Sequence, residues 1–233
     1  VARGDQVALW LTNCPEWVVC WMACTRLGAV LVPINTRFKP DEVEYILSQS
    51  DARELIAMDR YWDIDYLGMI RAMVPELTAA TPGGLASARF PELRAVVLWG
   101  ELESPGTTHL AALRRAGAAR MAAGDTLAPV DADDPVIIVY TSGTTGHPKG
   151  AMHGHVVMRN AANIARVMHI EPGDVLLGHM PLYHVAGAFT ACIPTVLLGC
   201  TLVTMPQWSP DEALEVIERE RVTIFGGIPT HFI

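Results

Sequence analysis

The chain has 233 residues, 51% of them hydrophobic and 18% charged, with a formal net charge of −8 at pH 7. That length buries a sizeable core, as one large domain or two lobes, and the apolar share is that of a folded globular protein. The negative balance argues against a nucleic-acid-binding or anionic-membrane-binding class. The five cysteines (Cys14, Cys20, Cys24, Cys192, Cys200) are odd in number and form no C-x-x-C pair. Cys20 and Cys24 lie four apart on a predicted helix face, where core packing explains them better than a metal, and a reducing, cytoplasmic setting fits.

Val7–Leu11 reads as a strand, Glu16–Leu27 as a helix stopped by Gly28, and Ala29–Val32 as a second strand. A helix opens at Pro40, with Asp41 and Glu42 in the first turn, where the helix dipole favours them. Leu55–Met58 and Val96–Trp99 are further strands, and the Pro/Gly/Ala-rich stretch near 75–90 reads as a surface excursion. Val136-Ile137-Ile138-Val139 is an apolar strand, followed by a helix near 154–168 and a strand at Val175–Gly178. Residues 185–205 carry no charge over a length that spans a bilayer. Pro194 and Gly199 interrupt the run, however, so a helix over 185–198 and a strand over Thr201–Thr204 account for it without a membrane span. Ser209-Pro210-Asp211-Glu212 has the form of a capping box opening a helix that runs to about Glu220, and Val222–Phe225 closes the series as a strand. Strand and helix alternate nearly throughout, which predicts an α/β fold with a parallel sheet covered by helices on both faces.

The run Tyr140-Thr141-Ser142-Gly143-Thr144-Thr145-Gly146-His147-Pro148-Lys149-Gly150 carries the chemistry. Its glycines allow a sharp turn that exposes backbone N–H groups to an anion. Thr141, Ser142, Thr144 and Thr145 are hydroxyl donors for phosphate oxygens, and Lys149 adds a mobile positive charge. A plain Gly/Thr surface turn is the structural alternative, but it has no use for four hydroxyls and a lysine together. The run is not a Walker A loop, because Gly143 and Gly146 are too close and Pro148 precedes the lysine. Nor is it the dinucleotide pattern, since Gly143 and Gly146 have no partner two residues upstream.

This loop resembles the signature loop of the adenylate-forming superfamily, which includes acyl-CoA synthetases, aryl-CoA ligases, luciferases and peptide-synthetase adenylation domains. Asn13-Cys14-Pro15-Glu16-Trp17, Pro33-Ile34-Asn35-Thr36-Arg37, Glu42-Val43-Glu44-Tyr45 and Pro181-Leu182-Tyr183-His184-Val185-Ala186-Gly187 are similar to other family segments in the same order. Residues 60–130 are the least distinctive part. The resemblance implies the αβαβα-type N-terminal domain of acyl-CoA synthetases, truncated. Residues 1–140 would form a first lobe, 141–150 the phosphate-binding loop, and 151–233 an incomplete second lobe, with the C-terminal domain absent. It places Thr141, Ser142, Gly143, Thr144, Thr145, Gly146 and Lys149 on the phosphates of ATP. His184 would lie beside the acyl carbonyl and the adenylate, with a structural histidine as the alternative. Gly187 and Gly227, the latter in Gly226-Gly227-Ile228-Pro229-Thr230, are implied beside the substrate, although close helix packing and a simple turn explain them too. Amino-acid-activating members carry Phe-Asp near His184, so the histidine tilts the reading toward acyl- or aryl-CoA ligases.

The implied reaction joins a carboxylic acid, a fatty acid in the first reading, to coenzyme A through an acyl-adenylate, with ATP and Mg²⁺. No transmembrane span is expected, and peripheral membrane association stays open. Amino-acid or aryl-acid adenylation is the alternative within the enzyme class, and a non-catalytic nucleotide- or acyl-binding module is the alternative outside it. The family's Tyr-Gly-x-Thr-Glu segment, ribose aspartate and late catalytic lysine are not found before Ile233, so the chain is expected to be inactive alone. His147, His153 and His155 cluster locally, but no acid or cysteine joins them at zinc-like spacing, and no metal site is read there.

Overall fold

The computed structural model describes residues 1–141 and 146–232. They divide into two compact units, Val1–Leu11 with Trp21–Met152, and Thr12–Cys20 with the chain from His153 on. The strands of the first are β1 (Gln6–Trp10), β2 (Val30–Pro33), β3 (Glu54–Met58), β4 (Ala95–Trp99), β5 (Thr107–His109), β6 (Pro135–Thr141) and β7 (Lys149–Gly154). They form one sheet in the order β5-β4-β3-β1-β2-β6-β7. The pairs β1–β2, β1–β3, β2–β6, β3–β4 and β4–β5 are parallel, with Ala8 beside Val32 on one side and Leu55 on the other. Val7, Ala8, Leu9 and Trp10 are all buried, the unbroken apolar run expected of a strand covered on both faces.

Helices α1 (Pro15–Leu27), α2 (Pro40–Gln49), α3 (Tyr66–Met73) and α4 (Leu110–Ala122) alternate with these strands. Helix α2 starts where the sequence predicts, with Pro40 at its first position and the Glu42 carboxylate accepting the Lys39 N–H at 2.8 Å. Its Val43, Ile46 and Leu47 form the buried face. Trp10 meets the Tyr66 ring edge-on at 4.8 Å between centroids. The ends of β3 and β4 are tied by buried Asp59, whose carboxylate accepts the N–H groups of Arg60, Glu101 and Leu102. Gly100, at φ 146°, lies so close to that carboxylate that a Cβ would collide with it.

The second unit holds a two-stranded parallel sheet, β8 (Val175–Gly178) and β9 (Thr201–Thr204). Around it lie α5 (Val156–Val167), α6 (Val185–Gly187), α7 (Ile193–Leu198) and α8 (Pro210–Glu220). Leu177, Met205, Ala213 and Val216 pack as one apolar cluster, and Ala165, Ile170 and Leu176 as another. The Ser209 hydroxyl accepts the Glu212 N–H at the start of α8, and Arg221 ends it at φ 53°.

Four expectations need correction. The helix over 185–198 is interrupted by a π turn at Ala188–Cys192 between α6 and α7. Pro194 has no N–H for the Thr190 carbonyl, and the Thr190 hydroxyl donates to the Ala186 carbonyl, so the ladder widens just before the proline. Gly199 then ends α7 in the left-handed conformation. Val222–Phe225 is not a full strand, since it makes a single bridge, Leu176 with Ile224. The stretch at 75–90 is only partly a surface excursion, because Leu77, Leu85 and Phe90 are buried anchors. Finally, Lys149 opens a strand, β7, rather than lying in a loop. Among the described residues no helix is long and apolar enough to cross a membrane.

Candidate active site

In the first unit, β6 is buried from Val136 to Val139 and emerges at Tyr140 and Thr141. Ser142, Gly143, Thr144 and Thr145 lie outside the described residues. The chain continues at Gly146, exposed and at φ 125° with nothing among the described residues within 4 Å of a Cβ, so conformation calls for glycine there. The His147 ring stacks on Tyr45 of α2 at 4.5 Å and 14°. The Tyr140 hydroxyl donates to the side-chain carbonyl of Gln49, and burial, its largest perturbation, pushes the phenol up to about 12. The Thr141 hydroxyl donates to the Lys149 carbonyl at 3.4 Å. A Cβ on Gly150 would stand 2.8 Å from Ile138 and 3.2 Å from Tyr140, so glycine lets β7 lie close against β6. The structure therefore places Thr141 and Lys149 on one pair of strands braced by α2, with Gly146 in the bend that leads into β7. Lys149 is exposed and makes no ion pair among the described residues, leaving its charge for an anion.

In the second unit, β8 ends at Gly178 and a turn through Met180 and Leu182 leads to His184. His184 is exposed and starts α6, with its Nδ1 accepting the Ala186 N–H at 3.2 Å. That contact assigns the tautomer of the neutral ring: Nδ1 is the acceptor, and Nε2 carries the hydrogen as a donor. Gly187 is buried, and a Cβ on it would run into the carbonyl oxygens of Met180 and Pro181, so close packing of helix on turn requires glycine. Gly227 is exposed, with the His231 and Phe232 rings within 2.8 and 3.2 Å of where its Cβ would be.

Two features escape sequence reasoning. Asn13 is buried, and its amide bonds the backbone of Gly178, Met180 and Leu182. His179 is buried at 4% exposure, with Nδ1 3.3 Å from the Leu177 carbonyl and Nε2 3.2 Å from Nδ1 of His231. With one proton, the neutral His179 ring donates to one of these and not both. The Trp208, Phe225 and His231 rings pack around His179 at 4.7–5.0 Å. Burial, more than the neighbouring His231, lowers its pKa to about 4.

The His153 ring meets Phe189 edge-on, and His155 precedes α5. Among the described residues no group of three His, Cys, Asp or Glu could hold a metal ion. The thiols of Cys14 and Cys192 are pushed up by burial to about 11 and about 12, which makes them packing residues rather than nucleophiles.

Comparison with known proteins identifies the architecture. A putative acyl-CoA synthetase, YngI of Bacillus subtilis, is 34% identical over 236 residues, covering 100% of this chain and 43% of its own length. The long-chain-fatty-acid–CoA ligase FadD13 of Mycobacterium tuberculosis is 35% identical over 98% of this chain and 40% of its own. A crystal structure of the anthranilate CoA ligase AuaEII with anthranoyl-AMP superposes with a TM-score of 0.81 at 26% identity, over 100% of this chain and 41% of that one. The chain thus spans less than half the length of these relatives. The sequence profile described as AMP-binding enzyme matches residues 1–233, and the chain belongs to that family.

Proposed function

We propose that this chain is part of an enzyme that activates a carboxylic acid with ATP and transfers the acyl group to coenzyme A. In the first step a carboxylate oxygen attacks the α-phosphorus, the bond to the bridging oxygen breaks, and pyrophosphate leaves with the electron pair. In the second, the thiolate of coenzyme A attacks the acyl carbon and AMP departs. The observation that carries the reading is Lys149, exposed on the β6–β7 pair and with no ion pair among the described residues, the charged member of a donor set for the departing pyrophosphate. Ser142, Gly143, Thr144 and Thr145 would complete that set. Mg²⁺ would share the phosphate charge.

His184 adds a single oriented donor. Because Nδ1 is held by the Ala186 N–H, its Nε2–H donates to an oxygen of the carboxylate or the adenylate. Gly187 keeps the first turn of α6 tight against the chain before His184. Gly227 belongs to a segment packed on His231 and Phe232, which we assign to the border of the acyl pocket.

A fatty acid is the first choice of substrate, following the naming of FadD13. The likeness to AuaEII, bound to anthranoyl-AMP, favours an aryl acid as the second reading. The five thiols, none in a disulfide, go with a cytoplasmic setting. The test is a screen of the full-length protein for AMP and acyl-CoA formation with saturated acids of graded length and with aromatic acids. Turnover with one of these classes is expected. Amino acids as the sole substrates would contradict the reading.

A further inference from the structure

Asn13 lies far upstream of His184 in sequence yet belongs to the same compact unit. Only 4% of it is exposed. Its Nδ2 donates to the carbonyl of Gly178 at 3.1 Å and to that of Met180 at 2.9 Å. Its Oδ1 accepts the Leu182 N–H at 2.8 Å. Both N–H bonds of the amide and one lone pair are thus spent on alternate residues of a single short turn.

That turn leads straight to His184. The Pro181 carbonyl, between two of the clamped residues, accepts the His184 N–H at 3.1 Å. The His184 carbonyl in turn accepts the Ala188 N–H at 3.0 Å, and its ring accepts the Ala186 N–H. From the other side, Gly187 rests against the Met180 and Pro181 carbonyls with no room for a Cβ. The turn is held between a buried amide and a helix start, and the His184 imidazole follows from both.

We infer that Asn13 is a positioning residue for His184: its side-chain amide sets the turn that presents the His184 Nε2–H to the reacting acyl group. The inference rests on the role of His184 proposed above. A buried amide that served stability alone would lower the melting temperature without touching the rate per folded molecule. One that positions His184 has no further effect once His184 is gone.

The experiment is a double-mutant cycle in the full-length protein with Asn13→Ala, His184→Ala and both together. Acyl-adenylate formation is measured per folded molecule, with KM for ATP and kcat determined separately. Asn13→Ala is expected to lower kcat on the order of 10- to 100-fold, the scale of a misplaced reacting group, while KM for ATP changes less than about twofold. The double variant is expected to be no slower than His184→Ala. Effects of the two substitutions that multiply would overturn the positioning role and leave His184 in place. A wild-type rate in His184→Ala would overturn the proposed role of His184 and this inference with it. If Asn13→Ala does not fold, Asn13→Ser, which keeps one hydroxyl donor in the site, takes its place in the cycle. A folded Asn13→Ser at the wild-type rate, or failure of both variants to fold, would make Asn13 a scaffold residue and overturn the inference.

Discussion

In the proposed reaction Lys149 and His184 have different tasks, and their substitutions separate by what each contact does. The Lys149 ammonium is exposed at the first position of β7, so its loss removes charge stabilisation and no core packing. Lys149→Ala in the full-length enzyme is expected to slow adenylation roughly 10²–10³-fold, the usual effect of deleting one preorganised donor. The melting temperature should stay within the scatter of ordinary surface changes. A normal rate of pyrophosphate release would remove this lysine from the mechanism. Gly146 is a conformational case. At φ 125° and with no described residue within 4 Å of its Cβ, Gly146→Ala meets backbone strain. It should raise KM for ATP before it lowers thermal stability, and steady-state kinetics beside a thermal melt tell the two apart.

At the scale of elements, the start of α6 is specified by space. Gly187→Ala pushes a methyl group into the Met180 and Pro181 carbonyls, an overpacking of the kind that costs typically about 1–3 kcal/mol. The expected outcome is a lowered melting temperature together with lost adenylation. A variant as stable as wild type would show that the helix and turn slide apart freely.

Elements that carry their own signal were legible in the sequence. β1, β2 and β3 are short apolar runs, α2 has Pro40 and two acids at its start, and α8 has its serine cap. Two helices were missed for different reasons. α4 is Ala- and Arg-rich with only Leu110 buried and lacks periodicity, whereas α3 buries Tyr66, Leu67, Ile70 and Met73 at helical spacing but is only eight residues long with Gly68 inside it. Of the candidate site, Thr141 and Lys149 were named from motif chemistry and His184 from the family resemblance. Asn13 and His179 were not, because a buried amide or imidazole is defined by partners distant in sequence, and no local pattern encodes them.

For the molecule as a whole, the family match and the parallel sheet account for the fold, and His179 adds a pH dependence to its stability. The buried ring titrates near 4 in the fold and near 6.5 when unfolded. Below the unfolded value, the unfolded chain takes up a proton that the folded chain refuses. Stability is therefore lost as pH falls from about 6.5 to about 4, by an amount approaching roughly 3 kcal/mol. Thermal melts at pH 7 and pH 4.5 should show a smaller pH difference for His179→Phe than for wild type. An identical difference in both would assign the acid sensitivity to other groups.

The central claim is that the full-length protein forms an acyl-adenylate from a carboxylic acid and ATP. Isotope exchange reads it directly, since a reversible adenylation incorporates labelled pyrophosphate into ATP only when the acid is present, and coenzyme A is not needed. Acid-dependent exchange is expected, falling by about 10²-fold or more in Lys149→Ala. Binding of ATP with no acid-dependent exchange, across fatty and aromatic acids alike, would contradict it and leave a nucleotide-binding module in place of an enzyme.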